Sequence, residues 1–147
     1  EEAHELANRG CAVAEFPTTL AAARAARELG LLIVAGAPNV VRGGSHAGNV
    51  SAAQLVATGL VDALASDYLP AAMLAAAVRL VRDGVATLPQ SVRLVTSGPA
   101  RCVGLDDRGT LHEGARADLV IADLSGTWPV VHAVVRAHDS ASTGSRR

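Results

Sequence analysis

Apolar positions in this chain fall into short continuous runs, separated by longer stretches in which alanine and leucine recur at helical spacing. The runs Cys11 to Glu15, Leu31 to Ala35 and Leu60 to Ala65 lack polar alternation, as expected of strands covered on both faces of a parallel sheet. Helix signals lie between them. Glu1 to Arg9 reads as the end of an amphipathic helix stopped by Gly10, and Pro17 with Thr18-Thr19 opens a helix through Glu28 that Gly30 ends. Ser51 and Gln54 form a capping box for a helix reaching Gly59. Pro70 starts a helix that continues to about Asp83 and is closed by Gly84. Thr87-Leu88-Pro89 opens a last helical stretch, broken by Gly98-Pro99 and ending at Gly104. The rhythm is β-α-β-α-β-α, which calls for parallel strands joined by crossover helices. Part of a doubly wound sheet and part of a (β/α)8 barrel both satisfy it. In either, ligands gather where strands end and helices begin.

From Asp106 the texture changes. Asp106-Asp107-Arg108-Gly109 is turn chemistry, and Thr110-Leu111, Asp118 to Asp123 and Val130 to Arg136 are short strand-like pieces. The expected organisation is an α/β unit over residues 1–105, a small β segment over 106–138 and a disordered Ser/Gly/Thr-rich tail over 139–147. The opening Glu-Glu-Ala-His-Glu-Leu reads as the middle of a helix, so the chain is expected to be a fragment of a longer protein.

The stretch from Gly36 to Asn49 stands out. It follows an apolar run and carries Asn39, Arg42, Gly43, Gly44, Ser45, His46 and Asn49, with almost nothing to offer a core. A long polar connection after a buried strand is costly unless it binds something. Glycines let main-chain N–H groups approach a ligand, and an arginine offers a fixed fork of donors to phosphate or carboxylate oxygens. The plain alternative is an ordinary flexible loop. Glu15, the Asn39 to Asn49 stretch and Asp67 all lie just past strand ends and should share one rim.

Composition narrows the functions. Of the 147 residues, 50% are hydrophobic and the formal charge is −1, so this is globular material with no electrostatic footprint for nucleic acid or an anionic membrane. No apolar run approaches the length of a membrane span. Aromatics are nearly absent, so the core must be aliphatic, with Phe16, Tyr68 and Trp128 its only large anchors. Cys11 and Cys102 are far apart and read as reduced structural thiols in a cytoplasmic protein.

Three motifs then carry a resemblance: Ala14-Glu15-Phe16-Pro17-Thr18-Thr19; Gly36-Ala37-Pro38-Asn39 with Arg42-Gly43-Gly44-Ser45-His46; and Ser66-Asp67-Tyr68 with Pro70. In this order and spacing the chain, from about Glu1 to Arg136, resembles the C-terminal half of a phosphonate-metabolism branch of the amidohydrolase superfamily of metal-dependent barrel hydrolases. Gly109-Thr110-Leu111, Gly114 and Ala117-Asp118-Leu119-Val120 resemble the composite β domain that closes many of its members. The resemblance implies an eight-stranded TIM-like barrel, of which this chain holds about the last three βα units. It implies hydrolysis of a ribose triphosphate to a 5-phosphate and pyrophosphate in the carbon–phosphorus lyase pathway. It also implies a divalent metal, zinc with manganese as the alternative, most of whose ligands lie outside this chain.

By the same resemblance Asp67 is the aspartate after the eighth strand, which ligates metal and takes a proton from the attacking water. Its alternative role is capping the helix after Pro70. Arg42 and His46 are assigned to phosphate, against a solvated arginine and a metal ligand or loop cap. Asn39, Ser45 and Asn49 join them as substrate-binding residues, with Gly43 and Gly44 acting through their backbones. Glu15 holds metal-site partners or a structural salt bridge. His4, His112, His132 and His138 are expected at the surface. The expected partner is a small phosphorylated substrate, with neither nucleic acid nor membrane, and a homo-oligomeric state is open. Two competing functions remain. One is another amidohydrolase, acting on a cyclic amide or deaminating a base; the other is a noncatalytic phosphate-binding α/β module. An anion cradle at Arg42 argues against the first, and a metal carboxylate at Asp67 against the second.

Overall fold

The computed structural model describes residues 5, 8–45 and 48–137. The opening helix, the tail, His4, His46 and His138 lie wholly or largely outside the described residues. Eleven elements follow in order: β1 (Val13–Glu15), α1 (Leu20–Glu28), β2 (Leu32–Gly36), α2 (Ala37–Arg42), α3 (Ala52–Ala57), β3 (Ala63–Ala65), α4 (Ala72–Arg82), α5 (Leu88–Arg93), α6 (Ser97–Cys102), β4 (Leu119–Asp123) and β5 (Val130–Val135).

The first three strands form one parallel sheet in the order β1-β2-β3, as the alternating pattern predicts. Register sets Glu15 opposite Val34 and Gly36 opposite Ala65, so the carboxyl ends of all three strands open on one rim. β2 and β3 are covered on both faces, with Ile33, Val34 and Ala35 buried in the first and Ala63 and Leu64 in the second. Cys11 and Ala12 are exposed and Val13 and Ala14 half-buried, so β1 does not show the two-sided burial its apolar run suggests. In this chain it is an edge strand.

Helix ends obey the capping rules. The Thr19 hydroxyl accepts from Ala22 N–H at 3.0 Å, and Ser51 and Gln54 form the expected capping box. Thr87 caps α5 with Gln90 in the same way. Pro70 lies just before α4, whose N-cap is Ala71. The break after α5 falls at Leu94 to Thr96, and Gly98-Pro99 sit inside α6. Gly98 is there for contact. The carbonyl oxygen of Asp62 occupies the place that a Cβ on Gly98 would need, and that of Arg93 would lie 2.8 Å from it. Leu64 N–H donates to Leu94 O at 2.8 Å, so the second edge of β3 is covered by this turn.

The core is alanine and leucine. One cluster joins Ala35, Ala37, Val40, Leu64, Ala76, Leu80 and Leu94; a second joins Ala23, Ala26, Leu31, Ile33 and Leu55. The aromatics are not anchors. Phe16, Tyr68 and Trp128 are 39%, 64% and 49% exposed, and the helices approach closely through alanines instead. Both cysteines are free, and burial, followed by the negative charge of Asp62, pushes the Cys102 thiol up.

The β segment is an antiparallel pair, β4 with β5; Thr110-Leu111 forms no strand. Arg82 Nη2 donates to three successive carbonyls, Leu124, Ser125 and Gly126, at 3.2, 2.6 and 2.7 Å, which ties this segment to α4. His112 and His132 are exposed, as expected.

Candidate functional site

The rim holds a cavity of about 210 Å3. Three connections enclose it. The first leaves β1 through Phe16, Pro17 and Thr18; the second runs from Gly36 through Asn39, Arg42, Gly44, Ser45 and Asn49; the third is Asp67-Tyr68 after β3. Val50 N–H donates to Thr18 O at 3.0 Å and pins the second connection to the first.

The second connection is not the long loop its composition suggests. Helix α2 starts directly at the end of β2, with Gly36 as its N-cap and proline in the first turn, where a missing N–H costs nothing. Ala37, Pro38 and Val40 are buried, so the first part of the stretch belongs to the core. Gly43 closes the helix in the left-handed conformation, φ 80°, and its N–H donates to Val40 O at 3.1 Å. Gly44 N–H donates to Asn39 O at 3.3 Å. The main-chain donors of both glycines are therefore spent on helix carbonyls, which corrects the expectation of a backbone anion cradle. Gly43 also stands outside the cavity lining, whereas Gly44 is part of it.

The side chains of this connection divide by task. Asn39 Oδ1 accepts from Ala52 N–H at 2.8 Å and holds the first turn of α3, leaving Nδ2 as the donor it can present. Arg42 is exposed at the cavity, and its Nη1 donates to the Tyr68 hydroxyl at 3.1 Å. Ser45 and Asn49 line the wall. His46 cannot be placed, as it lies outside the described residues.

Asp67 sits on the third connection with φ 49°, in the left-handed region that aspartate tolerates. Its side chain is exposed to the cavity and, among the described residues, accepts no hydrogen bond. It does not cap α4, whose N-cap is Ala71 with no side-chain cap bond, so the structural alternative for this carboxylate falls away. Among the described residues Phe16 is the other non-glycine residue with positive φ, at 53°, and for a bulky aromatic that conformation is strained. Phe16 directly follows β1, Asp67 stands two residues past the end of β3, and both line the cavity. Glu15 ends β1 exposed, outside the lining, and makes no ion pair among the described residues.

Among the described residues no three His, Cys, Asp or Glu side chains converge as a metal cluster. The site offers one free carboxylate, one guanidinium and a few neutral polar groups. Such a set can hold an anion and contribute one ligand to a cation. Phe16 and Tyr68 as cavity walls escaped the sequence reading, although their places in the connections just past strand ends were the signal.

Comparison with known proteins agrees with this arrangement. The chain is 54% identical over 123 residues to the alpha-D-ribose 1-methylphosphonate 5-triphosphate diphosphatase of Escherichia coli (strain K12), a match covering 82% of this chain and 32% of that protein. It is 34% identical to the dihydroorotase of Geobacter metallireducens over 92 residues, covering 49% of this chain and 22% of the relative. The dihydroorotase of Citrifermentans bemidjiense is 33% identical over 95 residues, covering 51% and 22%. The chain thus spans about a third of the diphosphatase and about a fifth of the dihydroorotases. A family described as the amidohydrolase family matches residues 3–142, nearly all of the chain and both of its sheets. With parallel strands ending at one cavity and the match extending across that cavity, the chain belongs to the amidohydrolase family.

Proposed function

We propose that this chain forms the phosphate-binding side of a metal-dependent diphosphatase that cleaves alpha-D-ribose 1-methylphosphonate 5-triphosphate to the 5-phosphate and pyrophosphate. One observation carries the reading: Asn39, Arg42, Ser45, Asn49 and Asp67 meet in one cavity at the carboxyl ends of three parallel strands. The similarity to the diphosphatase named above supplies the substrate. In this reading residues up to 105 are the end of a (β/α)8 barrel and residues 106–138 part of its closing β segment. The protein works in the cytoplasm on a small phosphorylated substrate. Among the described residues no helix is long and apolar enough to cross a membrane.

The chemistry follows from the groups present. Water attacks the phosphorus nearest the ribose, its new P–O bond forms, and the bond to the bridging oxygen breaks to release pyrophosphate. Asp67 accepts the proton that the water loses. Arg42 matches the growing charge on the phosphate oxygens with a fork of N–H donors, while Asn39 Nδ2, Ser45 and Asn49 orient the chain of phosphates. Asp67, whose carboxylate accepts no hydrogen bond among the described residues, would be one ligand of a divalent cation, zinc or manganese, which with further ligands from outside this chain would supply Lewis-acid charge at the phosphates.

The dihydroorotase matches favour a second reading, opening of a cyclic amide at the same rim. Arg42 suits the carboxylate of dihydroorotate as well as phosphate oxygens, so the two readings separate on the bond that is cleaved. The full-length protein should release pyrophosphate from the ribose triphosphate, and Arg42→Ala should raise KM for it by about 10-fold, the worth of one charge-assisted contact. Opening of dihydroorotate without triphosphate cleavage would replace the first reading by the second.

A further inference from the structure

We infer that Tyr68 is a positioning residue, whose hydroxyl holds the Arg42 guanidinium at the mouth of the cavity and so couples the connection after β2 to the one after β3. The inference rests on the proposed phosphate role of Arg42. Arg42 Nη1 donates to the Tyr68 hydroxyl at 3.1 Å across 26 positions of sequence. Both residues line the cavity.

Tyr68 has no task in the core. It is 64% exposed, while the buried clusters are made of aliphatic side chains. The chain contains one Phe, one Tyr and one Trp, and two of these three aromatics stand at this cavity. Asp67 precedes Tyr68 with φ 49°, a turn that sends the two successive side chains to the cavity together. An exposed arginine with a free stem samples many rotamers, and freezing it on a ligand costs binding. A rigid phenol that accepts one N–H removes part of that cost and leaves the other donors of the fork for phosphate oxygens. The solvent-facing bond contributes little to folding, so its effect should be read in binding.

The test is a double-mutant cycle on the full-length protein, with inorganic tripolyphosphate as the probe. Calorimetric titration is run on the metal-loaded protein, and phosphorus NMR of the same samples shows that the tripolyphosphate stays intact. Tyr68→Phe should weaken tripolyphosphate by about 3- to 10-fold, as expected for loss of one positioning hydrogen bond, with an unchanged melting temperature. In an Arg42→Ala background the same change should have almost no effect, because the hydroxyl acts through the arginine. Equal losses in both backgrounds, or no loss in the single variant while Arg42→Ala weakens binding, would overturn the role of Tyr68 and leave the phosphate site standing. Tripolyphosphate binding that ignores Arg42→Ala, or no binding at all, would overturn both the phosphate site and the role of Tyr68.

Discussion

Asp67→Asn in the full-length protein should leave the fold intact and cut turnover by about 100-fold or more, the usual loss when a proton acceptor at a metal site is removed. Three structural facts keep stability out of the result. The two side chains are nearly the same size. Asparagine accepts the left-handed backbone at φ 49° as readily as aspartate does. The carboxylate also accepts no hydrogen bond among the described residues, so the substitution breaks no native contact there. What it removes is one negative charge and one site for a proton. The measurement is kcat under saturating substrate, beside a thermal melt of both proteins. Wild-type turnover from a normally folded variant would reduce Asp67 to a turn residue.

The largest loss of stability should come from the opposite end of β3. Asp62 precedes that strand, its side chain only 7% exposed, and binds both neighbouring layers at once. Arg27 Nη2 of α1 donates to Oδ2 at 2.6 Å, Arg101 of α6 pairs with Oδ1, and Ile33 N–H of β2 donates to Oδ2 at 2.8 Å. Arg27 Nη2 also reaches Leu60 O at 2.6 Å. The arginine side chains are 37% and 54% exposed, so water screens their charges and each pair alone is worth little. The cost lies with the buried donor left behind. Asp62→Ala strands the Ile33 N–H, a loss of about 1–3 kcal/mol for an unsatisfied buried donor, and releases two part-exposed guanidinium groups whose screened pairs add little. That is a sizeable fraction of the roughly 5–15 kcal/mol that holds a typical domain. Asp62→Asn keeps an oxygen for Ile33 N–H and should fall between the two. Urea unfolding of the full-length protein gives the comparison; equal midpoints for wild type and Asp62→Ala would mean that the network contributes nothing.

These two aspartates show what the sequence could reveal. The place of Asp67 at the rim was legible because a carboxylate just past an apolar run and just before a proline-started helix belongs to a pattern of strand ends with a physical meaning. Asp62 was hidden, since its worth depends on Arg27 and Arg101, brought to it from 35 and 39 positions away by the fold. The parallel order of the strands and the caps at Thr19, Ser51 and Thr87 could be read locally, from apolar runs and from hydroxyls at fixed offsets. Helix α2 was overlooked for a similar reason. Its glycines and polar residues looked like a loop, yet Ala37, Val40 and Val41 already stood at the spacing of a helical face. The same glycines that suggested an anion cradle are a helix end, because a left-handed glycine serves either purpose and only the partner of its N–H tells them apart. Phe16 and Tyr68 were read as core anchors because aromatics usually are; here the close approach of alanine-rich helices leaves them no room inside.

The central claim is that the cavity beside Arg42 and Asp67 serves hydrolysis of a phosphoric anhydride between the first and second phosphates. Phosphorus NMR of the full-length protein acting on alpha-D-ribose 1-methylphosphonate 5-triphosphate, with zinc or manganese added, reads this directly. The expected spectrum shows the triphosphate signals replaced by a 5-phosphate and pyrophosphate in equal amounts. Orthophosphate with a 5-diphosphate, or an unchanged triphosphate in a protein that opens dihydroorotate, would contradict it.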